Sequence, residues 1–329
     1  MSVQNSSPVK NSVIRSDLDM EAPPLEALPG SKFDVSQLEN LAKRLRIGSL
    51  VAIYHAGSGH PGGALSAADV MSYISARILT WPTSWASTSK TPRNHLARDR
   101  FVLSKGHSCP VLYAAAAECG LISKQMLLKF RKLGSPLQGH PHVIDVPWVE
   151  TSTGSLGQGF SAAIGMALGL RYQQSKARVY TMLGDGELQE GEVWEGAMCA
   201  GHYKLENLCA IIDYNKLQSD DCNENIMGVE PLRAKWEAFR WHVIEIDGHD
   251  FQQIDAAFAE ASQTRKQPTV IIANTVKGRG VSFMEASPLW HGSVKLRDEE
   301  MMTALTELGV SQQDVGGYLD GSIWQNGYR

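Results

Sequence analysis

Two short apolar runs joined by a helical stretch constrain the fold of this chain more than any other feature. Residues 178–183 and 208–213 are apolar and rich in β-branched and aromatic side chains, which is typical of buried strands. The segment between them has helical spacing, carried by Leu188, Val193, Trp194, Ala197, Met198 and His202. Strands joined through a helix are usually parallel neighbours, so the sequence predicts a parallel pair here.

The same alternation continues along the chain. Strand-like runs lie at residues 101–103, 242–246 and 269–275, and a helical stretch separates the last two. With five strands alternating with helices, we predict an α/β fold, a doubly wound and mostly parallel sheet with helices on both faces. A capping box formed by Ser36 and Glu39 predicts where the first helix begins.

Length and composition suggest three parts of unequal size. The 329 residues are enough for one large or two small domains. Residues 1–31 are polar, contain several prolines and lack periodicity, so we expect an extended or disordered amino-terminal arm. We predict a single domain over residues 32–297, followed at residues 298–329 by one helix and a tail rich in glycine and tyrosine.

Charge, hydropathy and cysteine usage exclude several classes of protein. The net charge of −4 argues against nucleic acid binding, and no apolar run is long enough to cross a bilayer. The amino terminus lacks the pattern of a signal peptide, which predicts a cytoplasmic protein. The five cysteines are scattered without a C-x-x-C pair, so we expect free, mostly buried thiols.

Polar residues follow both strands of the central pair. Asp185, between Gly184 and Gly186, follows the first strand, and Asn215 follows the second. The carboxyl ends of parallel strands share one edge of a sheet, where open α/β folds bind ligands. A carboxylate, an amide oxygen and the carbonyl of Leu217 are hard oxygen ligands, which suit Mg²⁺ or Ca²⁺ better than zinc. Since Mg²⁺ held by so few protein groups completes its shell with phosphate oxygens and water, the pattern predicts a diphosphate ligand.

The glycine-rich turns also allow two alternatives to a diphosphate site. A G-D-G tripeptide is common in solvated hairpin turns, although here a helical stretch follows instead of a returning strand. The segment TGSLGQG at residues 153–159 lacks the spacing of a Walker loop or of a dinucleotide fingerprint. A nucleotide site is therefore the less favoured use of these glycines.

Four histidines lie in glycine-flanked turns, namely His60, His107, His140 and His291. A single histidine is more often structural than catalytic, but four in such turns are hard to explain as core residues. Imidazoles donate to hydroxyls and transfer protons near neutral pH, which suits a polyhydroxylated, carbonyl-bearing substrate. Their spacing does not match a zinc site. The other histidines are interpreted as structural: His55, His95, His142, His202, His242 and His249.

These signals together resemble the transketolase family of thiamine-diphosphate enzymes. The resemblance covers roughly residues 36–297 and rests on motifs in family order: SGHPGGALSAAD, RDRFVLSKGHS, GSPLQGHP, TSTGSLGQGFSAAIGMALG, GDGELQEGEVWEGAMCAGHYKLENL, DYNKLQSD and HGS. The chain departs from the family where Ser155 replaces a common proline and where HGSV replaces HGxP. The resemblance implies the fold of a thiamine-diphosphate-binding domain.

The resemblance also implies a role for each candidate residue. The metal is Mg²⁺, for which Ca²⁺ or Mn²⁺ could substitute, and its ligands are Asp185, Asn215 and the carbonyl of Leu217. The cofactor contacts are His107, Gly154, Ser155, Leu156, Gly186, Glu187, Glu190, Asn215, Lys277 and His291. Within this set Glu190 also lies at a subunit contact, and Lys277 reaches the diphosphate. The catalytic residues are the four turn histidines, with His107 and His291 nearest the cofactor and His60 and His140 nearest the sugar hydroxyls.

The reaction and the partner follow from the same resemblance. Transketolases move a two-carbon ketol unit (glycolaldehyde) from a ketose, here a sugar phosphate, to an aldose acceptor. A full transketolase is much longer and contains a pyrimidine-binding domain and a carboxyl-terminal domain, which residues 298–329 are too short to encode. We therefore expect the diphosphate-binding subunit of a split enzyme. It would self-associate through its domain and join a separate pyrimidine-binding and C-terminal subunit in an α₂β₂ assembly.

Two alternatives to this function stay open. One is a subunit of another thiamine-diphosphate enzyme, such as an acyloin-forming or deoxyxylulose-type synthase or a 2-oxo acid dehydrogenase α-subunit. The histidine-rich turns and the LQEG segment favour transketolase over these enzymes. The other is a degenerate regulatory subunit, against which the intact Asp185, Asn215 and turn histidines argue.

Overall fold

Five parallel strands form one sheet in the computed structural model, which describes residues 34–79 and 98–325. The strands are β1 (Arg100–Leu103), β2 (Val179–Gly184), β3 (Leu208–Tyr214), β4 (His242–Asp247) and β5 (Thr269–Asn274). Their order across the sheet is β1-β2-β3-β5-β4, and every neighbouring pair is parallel. Each strand ends within one residue of its predicted bounds, so the predicted fold class is confirmed.

The helices alternate with these strands along the chain. In the described residues they are α1 (Val35–Ala56), α2 (Pro61–Ser66), α3 (Ala68–Tyr73), α4 (Cys109–Glu118), α5 (Gln158–Tyr172), α6 (Gly191–His202), α7 (Asn223–Met227), α8 (Leu232–Ala238), α9 (Phe251–Gln263), α10 (Asp298–Glu307), α11 (Gln312–Leu319) and α12 (Ser322–Gln325). None of them is long and apolar enough to cross a membrane. All five cysteines are free, and Cys109 and Cys209 are fully buried.

Alternate residues along the strands face two separate cores. Tyr180 and Met182 of β2 pack in one core with α1, α3, α4 and α9. Val179 and Leu183 of the same strand pack in the other core with α5, α6 and α8. Because successive strand residues point to opposite faces of a sheet, helices cover both faces. Burial on both faces explains why the strands are nearly continuous apolar runs.

The first helix begins two residues earlier than the predicted capping box implies. Asp34 is the N-cap, and its side chain accepts the Gln37 N–H at 2.8 Å while the Gln37 side chain accepts the Asp34 N–H at 3.1 Å. The prediction of Ser36 and Glu39 as the box was wrong. Both pairs have the required spacing, and the earlier pair adds residues to the helix before its first buried position, Leu38.

Three helices follow Arg297, where the sequence predicted one helix and a tail. Helix α10 buries Met301, Ala304 and Leu305 in the same core as α1. Helices α11 and α12 occupy the expected tail, because Val315, Ile323 and Trp324 also pack on this core. The predicted arm at residues 1–31 and the last residues, 326–329, lie outside the described residues. The three-part division of the chain stays a prediction.

Candidate functional site

An open cleft of about 880 Å³ lies where the strands end at their carboxyl edge. Strands β2 and β3 are in register with Gly184 opposite Asp213, so the loops after them meet there. A short 3-10 turn (Gly186–Gln189) and then α6 follow β2, which rules out the hairpin alternative for the G-D-G segment. Twelve predicted residues line the cleft: His60, His107, Gly154, Leu156, Asp185, Gly186, Glu187, Glu190, Asn215, Leu217, Lys277 and His291.

Oxygen atoms converge on a lysine at one end of the cleft, which we call the oxygen end (Asp185, Asn215, Leu217 and Lys277). The buried Lys277 Nζ donates to Asn215 Oδ1 at 3.3 Å and to the Leu217 carbonyl at 2.5 Å. Asp185 Oδ1 accepts the Gly186 N–H at 2.8 Å, and Asp185 Oδ2 accepts the Lys216 N–H. Two of the three predicted metal ligands therefore already surround one positive charge.

Burial shifts the pKa values of the two ionisable side chains at the oxygen end, Asp185 and Lys277. Burial raises the pKa of Asp185 to about 6, opposed by the Lys277 charge and assisted by the nearby Asp213 carboxylate. Burial likewise lowers the pKa of Lys277 to about 8, against the attraction of Asp185 and Asp213. No three His, Cys, Asp or Glu side chains cluster as metal ligands in the described residues, at this end or elsewhere. The mixed oxygen set, which contains an amide and a carbonyl, thus fits Mg²⁺ by its chemistry.

A buried ion pair that the sequence did not reveal lies beneath the oxygen end. Lys105 Nζ contacts Asp213 Oδ2 at 2.5 Å, and both side chains are only 2% exposed. Asp213 also accepts hydrogen bonds from Ser66 at 2.6 Å, from Thr275 at 2.5 Å and from Asn215 Nδ2 at 3.1 Å. Since the Asn215 amide nitrogen is bound to Asp213, its oxygen faces the cleft. Lys105 and Asp213 also line the cleft, together with Gly63, Gln189, Gln218 and Ser219.

Glu187 holds the glycine-rich turns together. Its Oε1 accepts from Ser104 Oγ at 2.5 Å and from the Gly157 N–H at 2.9 Å, and its Oε2 accepts from the Gly184 N–H at 3.0 Å. Both oxygens are therefore bound by groups of the protein. These three hydrogen bonds to Glu187 join the end of β1, the TGSLGQG turn and the end of β2. Only glycine fits at the neighbouring position 159, because a Cβ on Gly159 would lie 2.7 Å from Ser104 Cα.

Three imidazole rings meet at the other end of the cleft, which we call the histidine end (His60, His107 and His291). Their centroids are 5.4 Å apart for His60 and His107, 5.5 Å for His107 and His291, and 6.1 Å for His60 and His291. Burial lowers the pKa of all three, to about 4 for His60, to about 3 for His291 and well below the usual value for His107. All three rings are neutral near pH 7. The buried Nδ1 of His291 has no hydrogen-bond partner among the described residues.

An arginine that was not predicted from the sequence, Arg131, lies beside the histidine end and contacts His60. Arg131 Nη1 donates to Ser58 Oγ at 2.6 Å and to Ser293 Oγ at 3.2 Å, and its Nη2 lies 3.4 Å from His60 Nδ1. Because arginine can only donate, this contact leaves His60 Nδ1 as an acceptor and its proton on Nε2. The Arg131 charge adds to burial in lowering the pKa of His60 and His140.

Three predicted residues occupy more open positions. His140 does not line the cleft, but its ring packs on Gly154, where a Cβ would lie 3.2 Å away. Ser155 is exposed and also lies outside the lining. Glu190 is the exposed N-cap of α6 at the rim of the cleft. The roles given to these residues stay predictions.

Comparison with known proteins gives a consistent picture. A family model described as the thiamine diphosphate binding domain of transketolase matches residues 38–315. Rat transketolase is 45% identical over 256 residues, which cover 78% of this chain and 39% of the rat protein. A 6-deoxy-6-sulfo-D-fructose transketolase subunit from a Clostridium species is 39% identical over 284 residues, which cover 84% of this chain and 97% of that subunit.

Solved structures agree with these sequence matches. The transketolase of Campylobacter jejuni superposes with a TM-score of 0.78 at 29% identity, over 89% of this chain and 48% of that one. The chain thus spans about two fifths of the rat enzyme but nearly the whole length of the Clostridium subunit.

Proposed function

The chain belongs to the transketolase family, and on this premise we propose that it is the diphosphate-binding subunit of a thiamine-diphosphate-dependent transketolase. The complete enzyme would move a two-carbon ketol unit from a ketose to an aldose. The observation that carries the proposal is the convergence of Asn215, Leu217 and Lys277 at one end of a cleft that has neutral histidines at the other. In this proposal, a binding site for an anionic group and a proton-transferring site would share one cavity.

The oxygen end would bind the cofactor's charged group. Asp185, Asn215 and the Leu217 carbonyl would hold Mg²⁺, and Lys277 would place a second positive charge beside the diphosphate. Thiamine diphosphate, when bound, supplies the electron sink for carbon–carbon cleavage. Lys105 balances the buried charge of Asp213 and so keeps the Asn215 amide in its orientation.

The histidine end would act on the sugar. A neutral imidazole donates with one nitrogen and accepts with the other, so His60, His107 and His291 can each bind a hydroxyl and transfer its proton. The tautomer of His60 set by Arg131 directs an Nε2–H donor away from the arginine. A substrate or cofactor group would satisfy the buried Nδ1 of His291, which has no hydrogen-bond partner among the described residues.

A second subunit is part of this proposal. The relative from Clostridium is named a transketolase subunit, and this chain matches 97% of its length. We therefore expect a partner that supplies the pyrimidine-binding and C-terminal domains, in an α₂β₂ assembly. The outward face of α5 and α6 is suited to self-association, because Gly165 and Gly169 are exposed there beside Tyr172 and Met198.

The test is an assay of ketol transfer with the chain alone and with a pyrimidine-binding transketolase subunit, in excess thiamine diphosphate and Mg²⁺. The donors should include ketose phosphates, 6-deoxy-6-sulfo-D-fructose and pyruvate, since the Clostridium relative is named for a sulfosugar. We expect no transfer by the chain alone and ketose-dependent transfer by the pair. Turnover by the chain alone would contradict the need for a partner, and consumption of pyruvate but of no ketose would favour a 2-oxo acid enzyme.

A further inference from the structure

A buried chain of hydrogen bonds runs from α1 to the loop that bears Lys277. Arg46 donates to the Asp69 carboxylate at 2.5 and 3.1 Å. Asp69 Oδ2 also contacts His249 Nδ1 at 2.6 Å. His249 Nε2 in turn accepts the backbone N–H of Val276 at 2.8 Å. The side chains of Arg46 and Asp69 are each 8% exposed, and that of His249 is 11% exposed.

This geometry fixes the tautomer of His249. A backbone N–H can only donate, so His249 Nε2 carries no proton where it meets Val276. The proton therefore lies on Nδ1 and is donated to Asp69. Arg46 holds that carboxylate in place with two further hydrogen bonds, and the imidazole is oriented from both sides. The three side chains come from α1, α3 and the turn before α9, far apart in the sequence.

The contact made by His249 lies next to the lysine of the oxygen end. The backbone around Lys277 is held at three successive residues: Val276 N–H by His249, the Lys277 carbonyl by the Ala286 N–H at 2.9 Å, and Gly278 N–H by the Gly62 carbonyl at 3.1 Å. Of these three contacts, the one made by His249 is the only one supplied by a side chain. It can therefore be removed by substitution without altering the backbone.

We infer that His249, oriented by Asp69, is a positioning residue that fixes the loop at Val276 and thereby aims Lys277 into the cleft. This role resembles the outer hydrogen bonds that orient the ligands of metal sites, whose loss weakens binding although they touch no ligand. The inference deepens the proposed function and rests on it only where Lys277 is taken to bind the diphosphate. The hold on the loop itself depends on the contacts of this chain alone.

The first experiment measures amide hydrogen exchange of the full chain, with no cofactor present. Loss of one net hydrogen bond in His249→Ala should speed exchange at Val276 by about three- to tenfold and leave β5 unchanged. His242→Ala is the matched control, since the His242 ring also contacts a carboxylate (Glu260, at 2.6 Å) and, among the described residues, makes no hydrogen bond to the loop of Lys277. His249→Gln should retain much of the protection, because its amide can donate and accept as the ring does.

Two results of this experiment would overturn the inference. Unchanged exchange at Val276 in His249→Ala would show that the ring does not hold the loop. Faster exchange spread evenly over β5 and α9 would show a general loss of stability instead of a local one. Neither result depends on whether the chain binds thiamine diphosphate.

The second experiment measures binding of inorganic diphosphate with Mg²⁺ by calorimetry in a double-mutant cycle with Lys277→Met. We expect His249→Ala to weaken binding several-fold in the natural chain and to have no further effect in the Lys277→Met background. Equal weakening in both backgrounds would overturn the link between His249 and Lys277. If Lys277→Met alone leaves the affinity unchanged, the assigned role of Lys277 fails, whereas the exchange data still decide the role of His249.

Discussion

The two ends of the cleft are built in different ways. At the oxygen end, Asp185 and Asn215 are fixed by backbone N–H groups, by Lys277 and by the buried Asp213. At the histidine end, the three ring centroids lie 5.4 to 6.1 Å apart, and Arg131 contacts His60. The first arrangement is charged and fully bonded. The second has neutral rings, and within the part of the chain that the structure describes the Nδ1 of His291 has no hydrogen-bond partner.

This difference determines what each end of the cleft can do chemically. Oxygens already held in place by the protein need little reorganisation when a cation binds, beyond the turn of Lys277 away from Asn215 Oδ1 and the Leu217 carbonyl. Neutral imidazoles can instead change hydrogen-bond partners as protons move. Binding of the cofactor should therefore depend on the oxygen end, and turnover should depend on the histidine end.

Asp185→Ala should abolish measurable binding of Mg²⁺ and thiamine diphosphate. Substitution of outer-shell partners alone lowers metal affinity by about 10- to 100-fold, so loss of a direct ligand should exceed this range. Calorimetry with the partner subunit present is the measurement. Asp220→Ala, which removes an exposed carboxylate near the same loop, should bind normally. Unchanged affinity in Asp185→Ala would remove the oxygen end from the binding site.

His107→Ala and His291→Ala should lower turnover by about 10²- to 10⁴-fold, the usual contribution of an acid or base group. Thermal stability should change little, because both rings lie at the cleft and not in either core. Steady-state kinetics and melting curves of the reconstituted pair are the measurements, with the exposed His202→Ala as control. A variant that melts much earlier yet keeps normal specific activity would mark that histidine as structural.

Arg131→Met should raise the pKa of His60 from about 4 towards its usual value near 6.5, since it removes a positive charge beside a buried ring. The pKa of His140 should rise in the same variant, because the Arg131 charge also lowers it. An NMR titration of the histidine ring protons measures both shifts. Lys132→Met removes an equal but exposed charge and should leave them unchanged. Identical titrations in the two variants would contradict the electrostatic role of Arg131.

The fold and most of the cleft could be predicted from the sequence because their signals are local. Apolar runs mark the strands, and Asp185 and Asn215 stand directly after two of them. Lys105 and Arg131 escaped prediction because their partners are distant in sequence, at separations of 108 residues to Asp213 and 162 to Ser293. Their importance depends on contacts that only the folded chain creates.

The role of His249 also could not be predicted from the sequence. Its sequence context differs little from that of His242, and the sequence predicts a structural role for both. In the folded chain His242 contacts the exposed Glu260, whereas His249 connects the buried Asp69 to the loop of Lys277. The two histidines therefore differ in the groups that tertiary packing places beside their rings: a single surface carboxylate for His242, and both a buried carboxylate and a loop N–H for His249.

A crystal of the chain with its partner, grown with thiamine diphosphate and with Mn²⁺ in place of Mg²⁺, tests the contrast between the two ends most directly. Anomalous diffraction locates the manganese independently of where the cofactor is placed. We expect one peak at the oxygen end, about 2 Å from an Asp185 oxygen, Asn215 Oδ1 and the Leu217 carbonyl, with Lys277 turned towards the diphosphate. A peak among the rings of His60, His107 and His291, or cofactor density with no peak at the oxygen end, would contradict it.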